Sequence, residues 1–330
     1  MIVAHTWPRN GSEEELLVDG RPSVLFVVVA GIALGLVTAR AASAAQPAAA
    51  RSRQRRRLAV RALILFAFGI ALWALPSGIA IILDYYGVLF VLALPLLFAP
   101  RWVLAVVSAA LLVAAPLARD AIVAAGPPSA EPWSSIVDYL FTGFYPAVLW
   151  LPLIGFGLLA TRSGLERTRT RVVLLLGGST ASVAGYGAAA VFPAVTAEDH
   201  SGTIAELLGA GGLAFALVGV FLLVLDPAGG APRVIRVALA PLTAMGRVAL
   251  TVYVGHVLVI VALSSLGPAG QFSSPVGETL AAALVVSGVL TGLTCTALRR
   301  RGPLEALLSG SATLAGGART IPSERSRVED

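Results

Sequence analysis

The sequence contains one cysteine and no lysine, and charged residues of either sign are scarce. A single cysteine, Cys295, cannot build a disulfide framework or a cysteine-based metal site. Charged residues make up 13% of the 330 residues, against roughly 25% in soluble domains. Hydrophobic residues reach 57% and the mean hydropathy is +0.86, which exceeds what a soluble core can bury. The composition therefore predicts a membrane protein whose main partner is the lipid bilayer.

All 24 basic residues are arginines, and the isoelectric point is near 10.2. Such a balance can indicate nucleic-acid binding, but these arginines lie at the ends of apolar runs rather than on one face. We therefore expect no nucleic-acid partner. The sequence also contains no P-loop, HExxH, G-x-S-x-G or Rossmann glycine motif, and no metal site is expected.

Nine apolar runs are long enough to cross ~30 Å of hydrocarbon at about 1.5 Å per residue. They cover residues 22–39, 58–75, 79–99, 102–124, 136–160, 172–193, 204–225, 248–266 and 277–298. The sequence thus predicts an all-α fold, a polytopic transmembrane helix bundle with about nine complete spans. Glycines four residues apart, Gly31 with Gly35 and Gly288 with Gly292, are predicted to let helices approach closely.

Arginines between the runs predict the orientation, because arginine-rich connections face the cytoplasm. When the connection that carries Arg40 and residues 51–57 is placed inside, alternation leaves only Arg9, Arg21 and Arg119 of the 24 arginines outside. We therefore expect a multi-pass protein of the bacterial inner membrane with a cytoplasmic C-terminus.

Three segments are not predicted to be complete spans. Residues 233–245 form an amphipathic pattern typical of a helix at the inner interface. Residues 302–330 are polar and rich in serine and glycine, which predicts a mostly disordered cytoplasmic tail after a membrane domain of residues 1–301. Residues 1–8 are apolar but short, and we interpret them as the outer end of a truncated first helix.

Candidate functional residues are the polar groups that lipid would not accept without a partner. His5 lies in an apolar helical end near the outer surface, where an imidazole can act as a base or a nucleophile. Asp19 and Arg21 precede the first complete span: Arg21 could hold an anionic or carbonyl-bearing substrate, and Asp19 could orient a histidine. The alternative for His5 is an interfacial histidine solvated by lipid headgroups. The alternative for Asp19 and Arg21 is that the two charges solvate each other.

Two further stretches carry candidate binding residues. In GRVALTVYVGHVLV, Arg247 and Thr251 are four apart and Tyr253 and His256 are three apart, so each pair is expected on one helix face. His256 is predicted near the middle of the membrane, where a histidine needs a partner or water. His200 lies in a predicted outer loop, with a solvated loop as the alternative.

Asp84 opens the third apolar run from the outside and is followed by two tyrosines. Tyrosines at this depth are usually interface anchors, which is the interpretation we favour for this stretch. Asp84 facing a cavity is the alternative.

Several segments resemble a known group of proteins. They are Met1–His5 (MIVAH), Asp19–Gly31 (DGR followed by LF and glycine), Thr142–Trp150 (TGFYPAVLW), Pro241–His256 (PLTAMGRVALTVYVGH) and Gly302–Glu305 (GPLE). These segments resemble bacterial membrane proteins related to heparan-α-glucosaminide N-acetyltransferase and to the YeiB-like family of uncharacterised membrane proteins. The resemblance touches nearly the whole chain, through short motifs.

The resemblance implies a transmembrane acyltransferase that takes acetyl-CoA from the cytosol and passes the acetyl group to a sugar amine or another envelope glycan or lipid. The family's histidine at the outer end of the first helix, the acetyl carrier or base, corresponds to His5, with Asp19 as a possible orienting partner. The family's complete first helix, often with an Arg-Gly pair, is missing from this sequence, which puts cofactor entry and the placing of His5 in question.

Two other functions remain open from the residues alone. A transporter or flippase for a lipid or glycan would use the same polar residues to line a path without covalent chemistry. A scaffold for other membrane proteins is the third hypothesis. The oligomeric state is not predicted.

Overall fold

A computed structural model of the chain describes residues 1–8, 19–42, 47–225, 233–264 and 272–315, and every regular element in these ranges is helical. The all-α prediction is therefore confirmed. The helices are α1 (Ile2–Thr6), α2 (Arg21–Ala42), α3 (Ala48–Trp73), α4 (Leu83–Ala93), α5 (Arg101–Ala125), α6 (Trp133–Val137), α7 (Ala147–Ser163), α8 (Thr168–Val191), α9 (Ile204–Val224), α10 (Arg233–Gly246), α11 (Ala249–Ala262), α12 (Val276–Ala297) and α13 (Pro303–Ala315). A 3-10 turn, Leu96–Phe98, follows α4, and a π-helical turn, Asp138–Thr142, continues α6.

Five of these helices, α2, α5, α8, α9 and α12, are long and apolar enough to cross a membrane. Two bent pairs could each form one more span: Trp133–Thr142 with α7, bent by 43°, and α10 with α11, bent by 68°. Five to seven helices are thus of spanning character, so the predicted count of nine is only roughly supported. The structure agrees with a membrane protein, as the composition predicts.

Two predicted spans, residues 58–75 and 79–99, have no equivalent among the helices of spanning character. In the first, the apolar part of α3 after Arg61 has about 12 residues, or roughly 18 Å of helix. In the second, α4 has 11 residues and gives way to the 3-10 turn at Pro95, because proline cannot donate the next helical hydrogen bond. Apolar length in the sequence therefore overestimates helix length in the second segment, whereas in the first α3 is 26 residues long but begins with arginines that a spanning helix would not carry.

Close contacts between backbones hold the central helices together. A Cβ atom at Gly178 of α8 would lie 2.5 Å from the backbone nitrogen of Ala216 in α9, and one at Gly212 of α9 would lie 2.5 Å from that of Ser182. Only glycine fits at such positions. Gly31 likewise faces the backbone of Ile154 in α7, which confirms the predicted close approach there.

The segment after residue 302 differs from the predicted disordered tail over its first part, because Pro303–Ala315 forms α13 and packs against α3 and α11. Leu308 is buried in the core. Glu305 accepts hydrogen bonds from the backbone N–H groups of Leu250 (2.8 Å) and Thr251 (3.0 Å) and from the Thr251 hydroxyl. These N–H groups begin α11, where they have no partner within the helix. Residues 316–330 lie outside the described ranges.

A Glu305→Ala variant is expected to lose about 2–3 kcal/mol of stability, because it leaves the first turn of α11 without its charged cap. Glu305→Gln, which keeps an acceptor oxygen but no charge, should lose less. Thermal unfolding of the purified protein in one detergent measures both. Glu166→Ala is the control, since Glu166 is exposed and its ion pair with Arg167 is long, at 3.8 Å. Equal losses in Glu305→Ala and Glu166→Ala would contradict the capping role.

Candidate functional site

Two histidines that are 251 positions apart in the sequence meet in the structure. Nδ1 of His5 lies 2.9 Å from Nε2 of His256, and the two rings stack with centroids 5.2 Å apart and planes 13° apart. His5 is in α1, which packs against α12, and His256 is in α11. At this distance one ring nitrogen donates a proton to the other, so the pair shares one hydrogen bond.

His256 is deeply buried beside Tyr253. Only 2% of His256 is exposed, and its other nitrogen, Nδ1, has no hydrogen-bond partner among the residues that the structure describes. The ring of Tyr253 meets the His256 ring edge-on at 5.2 Å, which confirms that these residues share a helix face. The Tyr253 hydroxyl accepts a hydrogen bond from the backbone of Ile82 at 3.3 Å. His256 therefore depends on His5 for its contact through Nε2.

Buried tyrosines extend the site from the histidine pair. Tyr145 and Tyr86 each lie close enough to Tyr253 to interact with it electrostatically. The Tyr86 hydroxyl is buried without a partner in the described part of the chain. The Tyr145 ring also meets the His200 ring at 5.2 Å. Tyr145 belongs to the TGFYPAVLW segment of the resemblance, but its residue type alone gave no functional signal.

His200 is held firmly in its loop rather than lying free in solvent. Its Nδ1 binds the backbone oxygen of Phe144 at 2.9 Å, and its backbone N–H donates to Glu206 at 2.8 Å. Its φ is +61°, a left-handed conformation that is uncommon outside glycine. Burial lowers the pKa of His200, although the Phe144 carbonyl and the Asp19 carboxylate act in the opposite direction. The imidazole is therefore biased toward its neutral form at neutral pH.

Asp19 lies near His200 and the amino group of Met1. It is close enough to interact electrostatically with His200 and with Met1, and Met1 interacts in turn with His256. The structure thus brings His5, Asp19, His200, Tyr253 and His256 into one neighbourhood. Nδ1 of His5 shares a hydrogen bond with Nε2 of His256, a contact that the resemblance did not suggest.

The two predicted arginines are positioned differently. Arg21 donates from Nε to the Tyr186 hydroxyl at 3.3 Å, and its guanidinium lies 5.6 Å from the centre of that ring. Arg247 is exposed in the turn between α10 and α11, so it is not on one helix face with Thr251 as predicted. His256 comes seven residues after the start of α11, roughly 10 Å along its axis. Arg247 therefore lies apart from the histidine pair.

A group of carboxylates and tyrosines lies beside a small cavity. Tyr139 donates to Asp84 at 2.9 Å and Tyr85 donates to Asp138 at 3.2 Å. Asp84 is 1% exposed, and its Oδ1 has no partner among the described residues, so it is buried within the protein and does not itself line the cavity. The cavity has about 280 Å³ and is lined by Tyr85, Asp138, Trp73 and Phe144 among others.

Glu206 is a structural residue that the sequence reasoning missed. It is 4% exposed and accepts from the backbone N–H groups of His200 and Gly202. The Thr203 side chain accepts from the Glu206 backbone at 3.1 Å. Threonine followed three residues later by glutamate is the capping-box pattern, which could have identified this helix start and its hold on the His200 loop.

Comparison with known proteins gives one partial match. No curated protein and no solved structure matches the chain. In the described ranges, no group of three or more His, Cys, Asp or Glu residues is arranged to hold a metal ion. A family model matches one stretch of the chain, which includes His200, Tyr253 and His256 but not His5 or Asp19. That stretch is residues 156–312, from within α7 to within α13, and the model is that of a family of uncharacterised membrane proteins described as a protein of unknown function (DUF418).

Proposed function

We propose that this protein is a membrane-bound acyltransferase that moves an acetyl group from acetyl-CoA to a sugar or another cell-envelope acceptor. The hydrogen bond between His5 and His256 is the observation that carries the proposal. It gives the histidine singled out by the resemblance a fixed ring orientation, which a histidine solvated by headgroups would not need. His5 is the reacting group and His256 is a positioning residue.

The tautomers of the pair explain how His5 reacts. When Nδ1 of His5 donates its proton to Nε2 of His256, the lone pair of His5 lies on its own Nε2. This nitrogen attacks the thioester carbonyl, the C–S bond breaks, and the coenzyme A thiolate takes up the proton that the acetylated imidazole releases from Nδ1. The acceptor's amine or hydroxyl then attacks the acetyl-imidazole, the N–C bond breaks, and the acceptor's proton returns to the imidazole.

The acceptor is proposed to bind on the side of the site opposite the arginine-rich ends. Trp73 and Phe144 offer aromatic faces and Asp138 a carboxylate along the small cavity, a combination that suits a sugar ring. Phe144 also supplies the carbonyl that holds His200. We assign Arg21 and Asp19 to the same entrance. The arginine-rich ends and the C-terminus then face the cytoplasm, where acetyl-CoA is available.

The test uses purified protein and acetyl-CoA labelled in the acetyl group. Wild-type protein is expected to carry label, or to pass it to added glucosamine, and His5→Ala is expected to lose the label completely because the attacking nitrogen is gone. Thr6→Val is the matched control in the same helix, since among the described residues the Thr6 hydroxyl binds the α1 carbonyl of Ile2, at 2.9 Å. It should label as wild type does.

The transport hypothesis gives a different result in the same experiment. A transporter or flippase for a lipid or glycan would neither bind coenzyme A nor take up label with any acceptor. That outcome in folded wild-type protein would contradict acyl transfer and leave the polar residues as the lining of a path.

A further inference from the structure

We propose that a second site, a cleft between α5, α7, α8 and α9, holds one acyl chain of an anionic phospholipid, whose phosphate binds Arg101, Arg167 and Arg169. The cleft has a volume of about 670 Å³. It shares no lining residue with the histidine site, so this inference does not depend on the proposed acetyl transfer.

The shape of the cleft matches an acyl chain in one leaflet. Its deeper walls are apolar, with Leu112, Phe156 and Phe215 among the lining side chains. Along α8 the cleft runs from Arg169 to Ala181, twelve residues or roughly 18 Å of helix. A bilayer has ~30 Å of hydrocarbon, so one leaflet is roughly 15 Å deep. The cleft therefore reaches from one interface to about the bilayer middle.

Adjacent glycines explain why the cleft stays open. Gly178 faces α9 at backbone contact, which fixes the α8–α9 wall. Gly177 faces the cleft, and a Cβ atom built there would meet no other atom within 4 Å. The missing side chain at Gly177 leaves space that lipid can fill.

The charges at one end of the cleft favour a phosphate. Arg101 begins α5, Arg167 immediately precedes α8 and Arg169 lies in its first turn, and all three are exposed. Helix N-termini add partial positive charge at the same place. No lining residue in the described part of the chain is acidic, and the adjacent Glu166 reaches only Arg167, at 3.8 Å. A guanidinium pairs with a phosphate through two parallel hydrogen bonds. In a zwitterionic lipid, the cation of the headgroup repels the arginines and offsets part of this attraction.

The test is native mass spectrometry of the full chain, released from micelles that contain phosphatidylglycerol or phosphatidylcholine with the same acyl chains. Wild-type protein is expected to retain one phosphatidylglycerol with roughly tenfold preference over phosphatidylcholine. Gly177→Phe fills the cleft and should reduce retention of both lipids about tenfold. The double variant Arg167→Gln/Arg169→Gln should lose only the headgroup preference. Gly187→Phe is the control, because Gly187 also faces open space on α8 but does not line the cleft.

Two results would overturn the proposal. The first is equal retention of the two lipids by wild-type protein. The second is unchanged lipid retention in Gly177→Phe, and if the oligomeric state of that variant changes as well, the cleft is an interface with another copy of the chain. If Gly177→Phe does not fold, the arginine double variant alone decides, since its exposed side chains leave the helix packing intact.

Discussion

Replacing His256 by alanine is expected to lower the proposed acetyl transfer roughly 10²-fold, the loss that a misplacement of about 1 Å of a reacting group can cause. The reason is the 2.9 Å contact between His5 Nδ1 and His256 Nε2. Without it, the His5 ring loses the partner that fixes its tautomer and orientation. The rate of label transfer from acetyl-CoA to an acceptor, measured across pH, provides the readout.

His256→Gln separates positioning from proton transfer. A glutamine amide places its oxygen near the position of imidazole Nε2, so it can accept the same hydrogen bond but cannot titrate. If His256 positions His5, the glutamine variant recovers activity to within about tenfold of wild type and keeps the wild-type pH profile. A loss in His256→Gln as deep as that in His256→Ala would contradict the positioning role.

Gly178→Leu is expected to cost about 3 kcal/mol or more, and to reduce accumulation of folded protein sharply. A side chain there has no free volume, because its first carbon would lie 2.5 Å from the Ala216 backbone. Both helices must then separate along their contact. Thermal unfolding and the yield of monodisperse protein in one detergent measure the effect.

Gly177→Leu is the matched control, one residue earlier on the same helix. Both changes replace glycine by leucine and gain the same helix propensity, about 0.5–1 kcal/mol. At Gly177 the new side chain enters the open cleft instead of meeting α9. Its stability should equal or exceed that of wild type, and similar losses in the two variants would show that the backbone contact is unimportant.

Composition and apolar runs predicted the helical fold well because burial in lipid leaves few alternatives to helix. They failed at helix lengths, since hydropathy does not register where proline ends a helix, as at Pro95. They also failed at α13. A segment rich in serine and glycine is ordered there because Glu305 binds the start of α11 and Leu308 enters the core, and both contacts come from distant parts of the chain.

The site was predictable in its residue types but not in its pairings. Tyr253 and His256 could be placed on one face because helix periodicity is local. The contact of His5 with His256, and that of Tyr145 with His200, depends on how distant helices pack. Arg247 was misplaced for the opposite reason, since the sharp bend before α11 breaks a periodicity that the sequence suggested was continuous.

The separation of His5 and His256 along the chain has a consequence for biogenesis. A ribosome that adds roughly 5–20 residues per second needs about 13–50 s to make the 251 residues between them. During that time His5 is exposed to the insertion machinery and the bilayer without its ring partner. The histidine pair can therefore form only after residue 256 has been made, so under the proposed function a chain that ends before that point would have no acyl-transfer activity.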